Sequence, residues 1–215
     1  MPTTSDERVS PAERVTRRQA DKFEERRREL ANGALQTLSE LGYARTSLRE
    51  IAQNTEFSHA TLHYYFRDKV ELILYCVRQY KAHCAQRYDG IVAESRTATE
   101  LRDGFGRVMA ESLEEDALTH RLWYDLRSQS LFQETFRADV AEIDKILEEM
   151  VWRIVSRYSE LSEGTPICPS PVTYAMFDGL FQHALLRFIS GVPNTLEDLT
   201  EAVRNTLSLV VKNAD

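Results

Sequence analysis

The stretch TSLREIAQNTEFSHATLHYYFRDK, residues 46–69, decides the fold of this chain. It opens with a start signal for a helix, because Ser47 and Glu50 have the spacing of a capping box. Leu48 and Ile51 can then face inward together on that helix. A helix this short is unstable alone in water, so we expect it to pack against another element.

A second short helix follows in the same stretch. Ser58 can cap it, and Leu62 and Phe66 lie on the side that can face inward. Ahead of both helices, an apolar stripe with spacing of three and four covers residues 23–41 and ends at Gly42, a residue type common at helix C-termini. Two short helices joined by a turn and lying on a longer first helix form a helix-turn-helix domain.

The rest of the chain has the pattern of an all-α protein with about nine helices in total. The 215 residues include only eight Gly and six Pro, and no alternating Val/Ile/Thr-rich run indicates a sheet. A long helix begins near Asp68, and further apolar stripes with helical spacing follow it. We predict a mobile N-terminal arm at residues 1–20, a three-helix domain at 21–67 and a second helical domain at 68–215.

The composition predicts a soluble, cytoplasmic protein. Its three cysteines are odd in number and lack C-x-x-C spacing, which is typical of reduced thiols. The N-terminus has no apolar segment of a signal peptide, and no run of about 18 apolar residues could span a membrane. The net charge of −7 is uneven, with +1 on residues 1–80 and −8 on residues 81–215, which indicates a division of labour between two parts.

The second short helix of a helix-turn-helix enters the major groove of DNA. His59, Ala60 and His63 lie opposite its inward side, so two imidazoles and a methyl group are placed to read base edges. Hydroxyls, backbone N–H groups and a lysine at three helix starts can bind phosphates, which set register and not sequence preference. The candidate DNA-binding residues are Thr46, Ser47, Ser58, His59, Ala60, Thr61, His63, Tyr64 and Lys69.

Two other functions were weighed for the same residues. His59 and His63 have the i, i+4 spacing of a metal-binding pair, but no third ligand stands nearby, so we expect no metal and no cofactor. An enzyme would need a nucleophile–base pair or a metal cluster, and the sequence suggests neither. We therefore expect a DNA-binding protein that is not an enzyme.

The residues that predict this domain also carry a resemblance. GYARTSLREIAQNTEFSHATLHYYFRDKVELI, residues 42–73, resembles the DNA-binding signature of the tetracycline-repressor (TetR) family of bacterial regulators. Glu56 stands where that family usually has glycine, so we expect a left-handed residue in the turn at a cost of roughly 1 kcal/mol. His63 and Tyr64 stand where tyrosine and histidine are usual. Over a short stretch, residues 120–132 resemble the C-terminal domain of the choline-responsive BetI-like subgroup.

The resemblance implies a homodimer whose C-terminal domain holds a small-molecule cavity. Aromatic residues and two polar groups are the candidates for the cavity: Trp123, Tyr124, Arg127, Phe136, Tyr174, Phe177, Phe181 and His183. Apolar stripes on the last two helices lack other cover and are expected to form a two-fold interface. Its candidate residues are Leu185, Leu196, Leu199, Val203, Leu207 and Val210, with Tyr174, Phe177 and Phe181 shared between interface and core.

The function predicted from these observations is a transcriptional regulator of the repressor type. It would bind double-stranded DNA at an inverted-repeat operator and leave that operator when a small-molecule effector binds. The alternative is a constitutive DNA-binding dimer without a ligand.

Overall fold

The computed structural model describes residues 11–213, and side chains are described from residue 17 to residue 212. Within that range the chain forms eight α-helices, one 3-10 helix and two short strands, so the all-α prediction is confirmed. The helices are α1 Pro11–Leu41, α2 Leu48–Gln53, α3 His59–Tyr65, α4 Lys69–Glu94, α5 Ala98–Gln129, α6 Arg137–Leu161, α7 Ser170–Ile189 and α8 Thr195–Leu209. The 3-10 helix is Glu134–Phe136, and the strands are β1 Gly164–Pro166 and β2 Val211–Asn213.

Helix α1 begins twelve residues before the apolar stripe does. It starts at Pro11, so residues 11–20 are helical where the sequence predicted a mobile arm, and residues 1–10 lie outside the described range. Proline suits the first turn of a helix, and between Pro11 and Gly33 the chain has no further helix breaker. An apolar stripe marks only the part of a helix that packs, which is why it missed this start.

Helices α2 and α3 lie on α1 as a helix-turn-helix. The Ser47 hydroxyl accepts a hydrogen bond from Glu50 N at 3.2 Å, and the Ser58 hydroxyl accepts one from Thr61 N at 3.0 Å. Ile51 on α2 and Leu62 on α3 are fully buried against the longer helix. Each short helix is therefore fixed by one cap and a few apolar anchors.

The turn between α2 and α3 does not use a left-handed residue. Among the described non-glycine residues, only Glu163 and Asn194 have positive φ, so the strain expected at Glu56 is absent. The turn is closed instead by Asn54, whose backbone N–H donates to Glu50 O at 3.1 Å. Phe57 then packs so tightly on α1 that a Cβ at Gly33 would lie 2.5 Å from its ring.

The larger body consists of α4 to α8, with α5 and α8 in close contact. A Cβ at Gly106 of α5 would lie 2.8 Å from the Thr200 carbonyl oxygen of α8, so only glycine permits this crossing. Helix α5 is itself bent, because Asp116 has non-helical φ and ψ of −123° and 23°. Strands β1 and β2 pair antiparallel and connect the end of the chain to the loop between α6 and α7.

Most of the predicted dimer residues are buried inside a single chain. Leu185, Leu199, Val203, Leu207 and Val210 are each no more than 4% exposed, because they pack α7 and α8 into the body. These side chains therefore pack within the chain, and only Leu196, which is half-buried, is partly open to solvent. The stripe on α8 was correctly seen as apolar, and it packs against the body; its role in a dimer stays a prediction.

None of the helices in the described range combines the length and the apolar character that a membrane crossing requires.

Candidate nucleic-acid interface and ligand cavity

The outer face of α3 presents the residues that were predicted to read DNA bases. His59, Ala60, His63 and Tyr64 are all exposed there, and Thr61 is half-buried. The rings of His59 and His63 meet edge to face with centroids 4.5 Å apart. No group of three or more His, Cys, Asp or Glu that could hold a metal occurs in the described part of the chain. The face offers two adjacent imidazoles, a methyl group and a phenol to a partner.

The opposite side of α3 fixes this face in place. Phe66 is fully buried, and the Tyr65 ring lies 4.8 Å from Phe23 of α1. The Arg27 guanidinium lies 4.8 Å from the centroid of the Phe66 ring and forms an ion pair with Glu71 at 2.7 Å. A short helix held on one side by aromatic packing can present its other side with little freedom.

Two of the predicted phosphate-binding residues already have partners within the chain. Thr46 is buried, and its hydroxyl donates to Gly42 O at 2.6 Å. The Lys69 ammonium donates to the carbonyl oxygens of Tyr43 and Thr46 at 3.1 and 3.0 Å. It also lies 4.4 Å from the centroid of the Tyr43 ring. Lys69 thus holds the loop before α2 in position.

Three arginines beside this surface were not proposed from the sequence. Arg45 precedes α2, Arg49 lies on α2 and Arg67 follows α3, and all three are exposed. Arg45 and Arg49 form no ion pair with any described residue, whereas Arg67 lies 3.5 Å from Asp68. Their positions next to the helix caps Ser47 and Asp68 were a usable signal, because cations near helix starts add to phosphate binding.

The predicted aromatic residues do enclose a cavity in the body, which we call the aromatic cavity. It has a volume of about 60 Å3 and lies between α4, α5, α6 and α7. Lining residues are mostly apolar, including Phe105, Met109, Leu147 and Met150. The predicted ligand-binding residues that line it are Trp123, Tyr124, Tyr174, Phe177 and Phe181.

Two of the predicted ligand-binding residues lie elsewhere. Phe136 is buried beside the end of α1, with its ring 5.2 Å from that of Tyr43. His183 is on the exposed side of α7, along a surface groove between α5 and α7. These two residues therefore do not line the aromatic cavity, because residue type and neighbours in sequence do not reveal which side of a helix faces it.

Arg127 lies at the edge of the cavity in a polar cluster. Its guanidinium pairs with Asp178 and lies 3.4 Å from Asp144. The Tyr124 hydroxyl donates to Asp178 at 3.0 Å, and the Tyr174 hydroxyl donates to Asp144 at 2.6 Å. Burial is the main reason why the pKa of both phenols is raised. The cluster therefore satisfies its own donors and acceptors.

Lys81 and His120 are the polar cavity residues that sequence reasoning missed. Lys81 is only 4% exposed, and burial lowers the pKa of its ammonium to about 8. Its Nζ lies 2.9 Å from His120 Nδ1. Lys81 stands in register with Val77, Cys84 and Tyr88 on the buried side of α4, a spacing that could have identified it.

The contacts of His120 define its protonation. Burial and the nearby Lys81 hold the pKa of His120 well below its usual value, so the ring is neutral. Because the Lys81 ammonium is a donor, Nδ1 must accept and Nε2 carries the hydrogen. Nε2 donates toward the Ser112 hydroxyl and carbonyl oxygens, at 3.0 and 3.2 Å. The imidazole thus connects the two parts of α5 on either side of its bend at Asp116. Side chains that insert into the hydrogen-bond pattern of a helix are a known cause of such kinks.

The part of α5 after this bend contacts both the cavity and the helix-turn-helix. Arg121 donates to the carbonyl oxygens of Ser39 and Glu40 at 2.8 and 3.0 Å, at the end of α1. Asp125 accepts from Tyr43 N at 3.1 Å. Trp123, between these two residues in sequence, lines the cavity. The second part of α5 therefore connects the two regions.

Comparison with known proteins agrees with this geometry. Residues 30–76 match the family described as bacterial regulatory proteins, tetR family. The HTH-type transcriptional repressor AcnR of Corynebacterium diphtheriae is 24% identical over 186 residues, covering 84% of this chain and 93% of AcnR. The resemblance seen in residues 42–73 is thereby confirmed, and the matched proteins are transcription regulators and not enzymes. The resemblance of residues 120–132 to BetI-like proteins stays a prediction.

Solved structures share the fold at low sequence identity. A TetR transcription regulator from Haloarcula marismortui superposes with a TM-score of 0.72 at 16% identity, covering 88% of this chain and all of that one. The transcriptional regulator FadR from Bacillus subtilis, in complex with stearoyl-CoA, has a TM-score of 0.67 at 18% identity, with coverage of 83% and 95%.

Proposed function

We propose that this chain, a DNA-binding regulator of the tetR family, is a homodimeric repressor that a small-molecule effector releases from an inverted-repeat operator. The observation that carries the proposal is the segment of α5 after Asp116. It lines the aromatic cavity through Trp123 and Tyr124 and binds the end of α1 through Arg121. A ligand that moves this segment would move the DNA-binding domain with it.

On the DNA side, α3 enters the major groove with His59, Ala60 and His63 toward the base edges. Their exposure on a face opposite the buried Leu62 supports this orientation. Ser47, Ser58, Thr61 and Tyr64, together with the N–H groups at helix starts, contact phosphates. Arg45, Arg49 and Arg67 add the cationic part of this contact, while Thr46 and Lys69 act mainly by shaping the loop before α2.

The contacts of α5 support it as a route of coupling between the cavity and the DNA-binding domain. Ser39 of α1 meets Thr119 at 3.2 Å, and Tyr43 N donates to Asp125. These contacts flank the cavity residue Trp123. A ligand that prefers one position of this α5 segment would change the distance between the two copies of α3 in a dimer. By reciprocity, bound DNA would lower the affinity for that ligand by the same factor as the ligand lowers the affinity for DNA.

A different apolar surface supports the dimer. Along the outer side of α7, exposed side chains recur at helical spacing and have no cover from the described chain: Val172, Met176, Leu186 and Ile189. Exposed apolar side chains of this kind are typical of association sites. We assign the two-fold interface to this side of α7 and the neighbouring Leu209 of α8, in place of the buried α8 stripe.

The proposal is tested by selecting bound sequences from a random DNA library with the full-length protein. We expect an inverted repeat whose half-site centres lie about 10 base pairs, or a multiple of that, apart. Absence of any enriched sequence would refute a specific operator. A selected site whose affinity no compound changes would favour the second candidate, a constitutive DNA-binding dimer. The cytoplasmic location stays a prediction.

A further inference from the structure

The aromatic cavity contains a buried cation without an anionic partner. Lys81 Nζ forms no ion pair with any described residue, and its hydrogen-bond acceptors are reduced to His120 Nδ1 at 2.9 Å. An ammonium has three N–H donors, so two remain for other acceptors. Burying a charged amine without a counter-ion is unfavourable, and here burial is the largest influence on its pKa. Such a site gains stability from an anion.

A second donor in the same cavity is also unpaired. Trp123 is fully buried, and its indole Nε1 has no hydrogen-bond partner in the described part of the chain. An indole N–H is a donor only, so a matching group must supply an acceptor. Buried polar groups in folded proteins are rarely left in this state. Lys81 Nζ lies 5.7 Å from the centroid of the Trp123 ring, so the two donor-bearing side chains are neighbours in the wall of the cavity.

The acidic groups near Lys81 already have other partners, and one of them, Asp116, lies 3.2 Å from the Arg87 guanidinium. Both oxygens of Asp178 accept hydrogen bonds, one from Tyr124 and one from Arg127. Asp144 is bound by Tyr174 and approached by Arg127. The neutral His120 supplies no charge. The groups in the cavity that lack partners are therefore hydrogen-bond donors, and the charge without a counter-ion is positive.

We propose that the aromatic cavity binds a small monocarboxylate, whose carboxylate accepts from Lys81 Nζ and Trp123 Nε1 while its apolar body lies among the aromatic and methionine side chains. The inference rests on the proposed function only in treating this cavity as the effector site. One carboxylate matches one cation, and the walls offer no second positive group for a further acidic group. The cavity of about 60 Å3 favours a short body, with larger ones requiring movement of α5.

Calorimetric titration of the full-length protein without DNA tests the ligand class. The probes are two matched sets: propanoate with propanamide and propylamine, whose short body suits the cavity, and hexanoate with its amide and amine, which would need movement of α5. We expect at least one acid to bind about ten- to a hundredfold more tightly than its amide, the range for hydrogen bonds to charged groups, and the amines not to bind. Equal binding of acid and amide, preference for an amine, or no binding of either acid at millimolar concentration overturns the proposal.

Two variants locate the effect. Lys81→Met keeps an unbranched side chain one atom shorter and removes the charge, so the preference for acid over amide should disappear. Lys145→Met, which changes a lysine with a 75% exposed side chain on α6, is the matched control and should keep the preference. Trp123→Phe keeps an aromatic ring without the N–H donor and should weaken acid binding roughly two- to tenfold. If Lys81→Met does not fold, Trp123→Phe decides, and unchanged acid affinity in the folded variant overturns the proposal.

The two proposals fail in different experiments. Acid binding that depends on Lys81, with no effect on operator affinity, would retain the ligand class and refute the release mechanism. An operator that is bound specifically, together with acid and amide affinities that are equal, would retain the regulator and refute the carboxylate.

Discussion

The helix-turn-helix, α1 to α3, and the body, α4 to α8, differ in the contacts that stabilise each of them. The difference lies in how far apart in the sequence the contacting residues are. In the first region the deciding contacts are local, as in the caps that Ser47 and Ser58 form three residues ahead. In the body the deciding contacts join distant parts of the chain, such as the 2.8 Å bond from Arg204 Nε to Asp103. Local signals can be recognised in a sequence, whereas the second kind depends on how long helices cross.

The largest expected effect tests which apolar residues hold the body. Val203→Asp places a carboxylate at a fully buried position, which should cost on the order of 4 kcal/mol or more and abolish cooperative thermal unfolding. Leu186→Asp changes a side chain that is 61% exposed on α7, so the helical circular dichroism should stay and light scattering should show a monomer. If Val203→Asp instead folded as a stable monomer, α8 and not α7 would be the helix that forms the dimer interface.

A smaller effect tests the crossing of α5 and α8. Gly106→Ala adds a Cβ 2.8 Å from the Thr200 carbonyl oxygen, and it should lower the free energy of unfolding by about 1–3 kcal/mol. Gly90→Ala is the control, because no atom lies within 4 Å of the added Cβ; it should stabilise α4 by up to about 1 kcal/mol. Urea denaturation measures both, and equal changes would contradict the close crossing.

The next effect belongs to the first region and concerns base preference. His63→Ala removes an exposed imidazole from α3, so discrimination at one base position of each half-site should fall by about 1–3 kcal/mol. Affinities for single-base variants of the selected operator measure this loss. His83→Ala, an exposed histidine on α4, is the control. An unchanged preference profile in His63→Ala would move the reading face away from this side of α3.

The smallest effect concerns the cap of the recognition helix. Ser58→Ala removes the acceptor for Thr61 N, which should destabilise α3 by about 1 kcal/mol. Affinity should then fall by the same factor for all operator variants, because no base contact is changed. Gel-shift titrations measure the operator affinities of Ser58→Ala and of a control, Ser190→Ala, which changes an exposed serine after α7. A changed order of preference among the variants would mean that Ser58 contacts a base.

The same difference in range explains what the sequence could predict. The caps at Ser47 and Ser58 and the buried anchors Leu62 and Phe66 were identified correctly, since each depends on residues a few positions away. The start of α1 was missed because residues 11–20 lack an apolar stripe. The left-handed conformation expected at Glu56 was wrong, because Asn54 closes the turn by another set of hydrogen bonds.

In the body, residue types were predicted better than their positions. Trp123, Phe177 and Phe181 line the aromatic cavity as expected, but His183 faces outward and Phe136 packs on Tyr43. The stripe on α8 was recognised, yet its partner α5 could not be, because which helix covers an apolar face is decided by the assembled bundle. Lys81 was missed because a lysine on an apolar stripe is usually exposed at its tip.

The pairing of β1 with β2 gives the C-terminal end of the chain a kinetic role. Ile167 N donates to Val210 O at 2.9 Å beside the paired strands. The segment that precedes α7 is thus bonded to the segment that follows α8. A Cβ at Gly164 would lie 2.7 Å from the Lys212 carbonyl oxygen, so the two strands are in close backbone contact. The two helices should therefore exchange their amide hydrogens with solvent as one cooperative unit, opening only when the strand pair has separated.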